Sequence, residues 1–167
     1  MDLTLWIWIL ILFVLVLMSA FFSSSETALV GSGRVKLNHL ADSGSHGAKR
    51  ALRLLERPAD LLATILVGNN LVNVMAAAIA TALMGPVYAT LVITLVLLVF
   101  AEITPKTIAT VHPEKFAARV SLPVENFCFV LMPMVWVTGG ITDLMMRPFL
   151  GKRSSHRRHL SRQELLP

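Results

Sequence analysis

Three short polar sets interrupt otherwise apolar stretches, and their residue types are those of a hard-cation site. Ser19 and Ser23 stand four apart, as do Asn69 and Asn73 with Asn70 between them, and Glu102 is followed by Thr104, Pro105 and Lys106. A spacing of four places each pair on one helix face. Hydroxyl, amide and carboxylate oxygens are the ligands of hard divalent cations, and Mg2+ takes about six of them in octahedral array. Pro105 adds a further oxygen, because a proline in a helix has no N–H for the carbonyl four residues earlier, here that of Ala101. Neither thiol nor imidazole stands among these positions, which argues against zinc, copper and nickel. The candidate metal-ligating set is therefore Ser19, Ser23, Asn69, Asn70, Asn73, Ala101 and Glu102. The sequence carries no HExxH, GxSxG or phosphate-cradling GxxxxGK motif, so nothing supports an enzyme.

Such residues need helices in lipid to position them. The chain of 167 residues is 55% hydrophobic and only 15% charged, which excludes an ordinary soluble domain, a disordered tail and, with one cysteine, a disulfide scaffold. Leu3 to Phe22 is 20 residues without a charge, enough for about 30 Å of hydrocarbon. Asp2 precedes it and no A-x-A site follows, so it reads as a retained helix rather than a cleaved leader. Leu61 to Ala101 is 41 residues without a charge, with Gly85-Pro86 near its middle, which predicts a hairpin of two helices.

Charge sets the expected orientation. Arg34, Lys36, Lys49, Arg50, Arg53 and Arg57 outnumber Asp42, Glu56 and Asp60 in the first loop, whereas the hairpin turn has no charge. By the positive-inside rule the first loop is cytoplasmic and the turn external. The predicted fold class is an all-α membrane protein with three transmembrane helices, about 3–27, 61–84 and 87–107, N-terminus outside and C-terminus cytoplasmic. Trp6, Trp8 and Tyr88 would anchor its external interface. Residues 34–57 read as a juxtamembrane amphipathic helix broken at Ser43-Gly44-Ser45, and 113–150 as a cytoplasmic-side helical belt. Asn126 to Thr142 offers only 17 uncharged residues, interrupted by Pro133 and Gly139-Gly140, and a crossing there would carry Arg147, Lys152 and Arg153 outside.

Residues 151–167 are basic and end in a capping-box-like helix start at Ser161 to Leu165, as if a further helix followed. The net charge of +5 sits beside apolar segments without interleaved aromatics, so it points to the lipid bilayer and not to nucleic acid. Counted from the external side, Ser19, Asn69 and Glu102 each lie 16 residues from Leu3, Gly85 and Pro86 respectively, about 24 Å of helix. That depth is the cytoplasmic half of the membrane, where an ionisable residue is costly and marks a functional site. Structural readings of the same residues are helix-packing serines, asparagines as interhelical glue, Glu102 paired with Lys106 one turn on, and Glu26 paired with Arg34 or a headgroup.

With FFSSSETAL at 21–29, VGNNLVNV at 67–74 and AEITPKTIA at 101–109, the chain resembles the membrane domain of the CorC/CNNM (cyclin M) magnesium transporter family from about residue 5 to 165. The resemblance implies a multi-pass cell-membrane protein, inner or plasma membrane, working as a homodimer. Its activity would be Mg2+ efflux coupled to Na+ entry by alternating access, with a dehydrated Mg2+ held by serine, asparagine, backbone and glutamate oxygens. Carried onto this chain, the serine positions are Ser19 and Ser23, the asparagines the Asn69, Asn70 and Asn73 group, and the glutamate Glu102. The residue before it, often glycine in relatives, is Ala101 here. Family members continue into cytoplasmic cystathionine-β-synthase-type (CBS) domains that bind ATP with Mg2+, which makes 151–167 the linker toward them. Two rivals use the same residues: a Mg2+-sensing regulator without transport, and a structural dimerising anchor.

Overall fold

The computed structural model describes residues 3–150; the basic linker over 151–167, with its helix start, lies outside the described residues. In chain order the elements are α1 (Leu3–Gly31), α2 (Arg34–Asp42), α3 (His46–Leu54), α4 (Pro58–Met84), α5 (Pro86–Val96), a π-helical segment (Leu97–Ile103), α6 (Thr104–Val111) and α7 (Pro113–Leu150). No strand occurs among the described residues. By Cα proximity the chain forms two units, one ending at Leu131 and the other starting at Met132.

Prolines open α4, α5 and α7 at Pro58, Pro86 and Pro113, where the missing N–H costs nothing. α4 and α5 are joined by Gly85 alone, at φ 78°, a left-handed conformation that only glycine adopts freely. Gly44, at φ 93°, likewise makes the break between α2 and α3, within the Ser43-Gly44-Ser45 interruption expected there, and Ser45 caps α3 by accepting from the Ala48 N–H.

Four helical stretches are long and apolar enough to cross a membrane: Leu3–Gly31, Pro58–Met84, Pro86–Val111 and Pro113–Ile141. The expectation of three spans therefore meets a fourth stretch of spanning length. α7 runs through Pro123, Pro133 and Gly139-Gly140 without a break, a tolerance that prolines have in apolar helices where neighbours re-satisfy freed backbone groups. Leu10, Phe13, Leu66, Val74, Leu91 and Leu95 point outward from α1, α4 and α5, as side chains do on helices that face lipid rather than water.

Within the first unit, α1 packs against α4, the π-helical segment and α6. Phe22 is almost wholly buried and stacks edge-on against Phe127 of α7, with ring centroids 4.9 Å apart. Gly68 makes room for it: a Cβ there would lie 2.6 Å from the Phe22 ring. Beside this core, α2 and α3 lie against the start of α7. A Cβ at Gly47 would run into the Ala118 carbonyl, so the helices touch backbone to backbone, and Lys36–Glu114 at 3.0 Å and Arg53–Glu125 at 3.4 Å flank the contact. Both pairs are partly solvated, so each contributes little by itself, and the close backbone approach sets the geometry.

Candidate ion-binding site

The serine run of α1 and the asparagine run of α4 meet. Ser19 Oγ donates to Asn69 Oδ1 at 3.0 Å, and one turn further along α1 Phe22 sits on Gly68. Rising numbers on α1 thus face falling numbers on α4, and the helices are antiparallel. Ser23 lies one turn from the Ser19–Asn69 contact toward the C-terminal end of α1, and Asn73 one turn from it in the opposite direction. Because Cβ bonds on a helix tilt toward its N-terminus, both side chains lean back toward the contact, from either side.

Glu102 is placed by a second register. α1 and α6 are linked by Glu26 Oε2 and Lys106 Nζ at 3.7 Å. Phe13, Leu17, Val96 and Phe100 share one groove nearer the other end, so these helices run parallel with an offset near that of the ion pair. Glu102, four before Lys106, then stands level with residues 19–23 of α1, between the registers that the groove and the ion pair give. The two contacts together place Glu102 level with the Ser19–Ser23 turn of α1, near the depth of the Ser19–Asn69 contact.

The π-helical segment carries Ala101 and Glu102. At its end the Thr104 N–H bonds the Val99 carbonyl, five residues back. Pro105 has no N–H to offer in either register, neither to the Phe100 carbonyl five residues back nor to that of Ala101 four back. The sequence pointed to the Ala101 carbonyl alone; the π register adds that of Phe100 as a second claimant. Insertions of this kind are frequent at functional sites. Ala101 itself is fully buried.

The hydrogen-bond accounting is uneven. Ser23 Oγ, Ser25 Oγ and Asn73 Oδ1 are buried with no hydrogen-bond partner, although buried polar groups are overwhelmingly paired. Glu102 makes no ion pair or hydrogen bond among the described residues. Its neighbour Lys106, its partner in the structural reading, is turned to Glu26, and Arg34, one of the partners that reading offered Glu26, donates instead to the Leu55 carbonyl at 2.8 Å. Asn70 is on the exposed face of α4, away from the Ser19 contact, whereas Asn69 and Asn73 are half-buried. No three His, Cys, Asp or Glu side chains converge among the described residues, so the arrangement offers neutral oxygens around one carboxylate. Ser25 was not singled out from the sequence; the only signal for it was its place in the Ser23-Ser24-Ser25 run.

A family model described as the cyclin M transmembrane N-terminal domain matches residues 10–166. The chain belongs to the cyclin M (CorC/CNNM) transmembrane-domain family. Among curated relatives of this cyclin M domain, the UPF0053 inner membrane protein YfjD of Escherichia coli K12 is 42% identical over 137 residues, covering 78% of this chain and 32% of that protein. A UPF0053 protein of Haemophilus influenzae is 38% identical over 157 residues, 90% of this chain and 37% of the relative. The polyamine export protein of Salmonella typhimurium is 32% identical over 155 residues, 81% of this chain and 35% of the relative. The chain thus spans about a third of the length of the relatives it matches. With its apolar helices, this cyclin M domain is a multi-pass membrane protein.

Proposed function

We infer that the chain is the membrane domain of a Mg2+ exporter that couples efflux to Na+ entry by alternating access. The observation that carries this reading is the group of buried oxygens without partners, Ser23 Oγ and Asn73 Oδ1, on either side of the Ser19–Asn69 contact, with an unpaired Glu102 near the level of the Ser19–Ser23 turn. Leaving such groups without partners costs about 1–3 kcal/mol each, a cost a binding site recovers when a cation arrives. Mg2+ suits them because it demands compact oxygen coordination and gives up its water reluctantly, so a single carboxylate with neutral oxygens can bind it and still release it when helices shift. Ser19, Ser23, Asn69, Asn73, Glu102 and the carbonyl freed by Pro105 are the proposed ligands; Na+ would use the serine and carbonyl oxygens in the return step.

The proposed topology has α1, α4 and the α5–α6 stretch crossing the cell membrane, N-terminus outside. α2, α3 and α7 form the cytoplasmic-side belt, since the basic residues of α2 and α3 and the ion pairs that tie them to α7 favour the positive side. The working unit would be a homodimer, continued in the full-length protein by CBS domains that bind ATP with Mg2+.

A second reading has one observation in its favour, the relative named as a polyamine exporter. A polyamine presents several ammonium groups along an extended chain and calls for several carboxylates, while Glu26 is already taken by Lys106. The deciding experiment is Mg2+ flux in proteoliposomes under an imposed Na+ gradient, for the parent and Glu102→Gln, with spermidine as competitor. Sodium-dependent Mg2+ flux that the variant abolishes is the expected result. Spermidine flux without Mg2+ flux overturns it in favour of polyamine export, and Mg2+ binding without flux in favour of a sensor.

A further inference from the structure

Glu26 and Lys106 lie outside the ligand set, yet they join α1, which carries its serines, to α6, which continues from the segment that carries Glu102. Lys106 Nζ is 3.7 Å from Glu26 Oε2, and both side chains are 45% exposed. On the continuous helical stretch Pro86–Val111 Lys106 follows Glu102 by four residues, the spacing that on an α-helix puts Cβ atoms about 5–6 Å apart, in the favourable order with the glutamate first. One ammonium therefore stands within a rotamer change of two carboxylates, one on α1 and one in the π-helical segment. Of the two, Glu102 is the carboxylate without a partner, at a depth where an unpaired charge is costly.

We propose that Lys106 is a tethered cation shared between Glu26 and Glu102: it rests on Glu26 while Glu102 holds a metal ion and moves to Glu102 when that ion leaves. Resting on the reading of Glu102 as the carboxylate of the ion site, this makes Lys106 a positioning residue that sets how easily the site empties. The swing exchanges one ion pair for another, with no bond made or broken and no net charge moved into lipid. The long flexible stem of lysine suits the task. Glu26 is the parking place that keeps the ammonium off Glu102 during binding.

The test is amine-reactive labelling of Lys106 in the detergent-solubilised chain, read on its peptide by mass spectrometry against exposed Lys49 as reference. Without Mg2+, E26Q and E102Q should each label within about twofold of the parent, because the other carboxylate keeps the ammonium, and E26Q/E102Q should label about tenfold faster. Mg2+ should accelerate labelling in E26Q, where the metal evicts Lys106 from Glu102, and leave the parent unchanged. Full acceleration by E26Q alone without Mg2+, or no acceleration in the double variant, overturns the proposal. The expected labelling pattern with no response of E26Q to Mg2+ keeps the shared ammonium and rejects the magnesium reading instead. Equilibrium Mg2+ binding gives a second check: E26Q should weaken binding about tenfold with Lys106 present and less than twofold in K106M. Equal weakening in both backgrounds would show plain charge removal and overturn it too.

Discussion

Ser19 Oγ donates to Asn69 Oδ1 across 3.0 Å, bridging residues 50 positions apart, and this is the hydrogen bond that aligns the serine face of α1 with the asparagine face of α4. Interhelical hydrogen bonds in membranes average about 0.6 kcal/mol, so Ser19→Ala should lower the thermal midpoint in detergent by only a degree or two. Its effect on Mg2+ affinity should be larger, about tenfold, because the asparagine loses both a co-ligand and its orientation. Titration calorimetry alongside the melt separates the two.

Ser23→Ala and Asn73→Ala should act with opposite signs on stability and binding. Each removes a buried oxygen that has no partner, relieving about 1 kcal/mol of desolvation, so melts without Mg2+ should be unchanged or slightly higher. The stabilisation that Mg2+ adds to the parent should shrink or vanish. Asn70→Ala, on the exposed face, should change neither.

Pro105→Ala restores an N–H where the π register ends. The backbone can then close its ladder, and the variant should be more thermostable yet lose most Na+-dependent Mg2+ flux. Unaltered flux would show that the freed carbonyl is not a ligand.

Gly68→Ala puts a methyl 2.6 Å from the Phe22 ring and 3.1 Å from Leu131. The ring is held by Phe21 and Phe127, so the methyl cannot be absorbed without moving that cluster. Overpacking of this kind costs about 1–3 kcal/mol. Phe22→Leu in the same chain should recover part of the lost melting temperature.

Much of this was legible in the sequence because membrane helices are written in long uncharged runs. The hairpin turn at Gly85-Pro86, the break near Gly44 and the serine and asparagine faces all follow from spacing and from glycine and proline chemistry. The continuity of α7 did not, since Pro123, Pro133 and Gly139-Gly140 each read as an interruption while neighbouring groups decide whether a helix survives them. The π register was half visible: Pro105 announced a freed carbonyl, but which one depends on a backbone slip that side-chain pattern does not encode. The partner of Lys106 was not legible for a related reason. One-turn spacing favours Glu102, and only the register of α1 against α6 brings Glu26 as near. Asn70 was indistinguishable from its neighbours until the Ser19 contact showed which face of α4 turns inward.

The single glycine between α4 and α5 constrains what the proposed alternating access can look like. With Gly85 the lone connecting residue, the helix ends there cannot slide apart, and Asn69 and Glu102 can separate only by an angular opening, as the arms of tongs separate. Each arm is about 24 Å long to those residues, so a swing of about 5° moves a tip by roughly 2 Å, the length of one Mg2+–oxygen bond. A rotation too small to disturb the lipid-facing surface would thus be enough to take an oxygen away from an ion held in the proposed site.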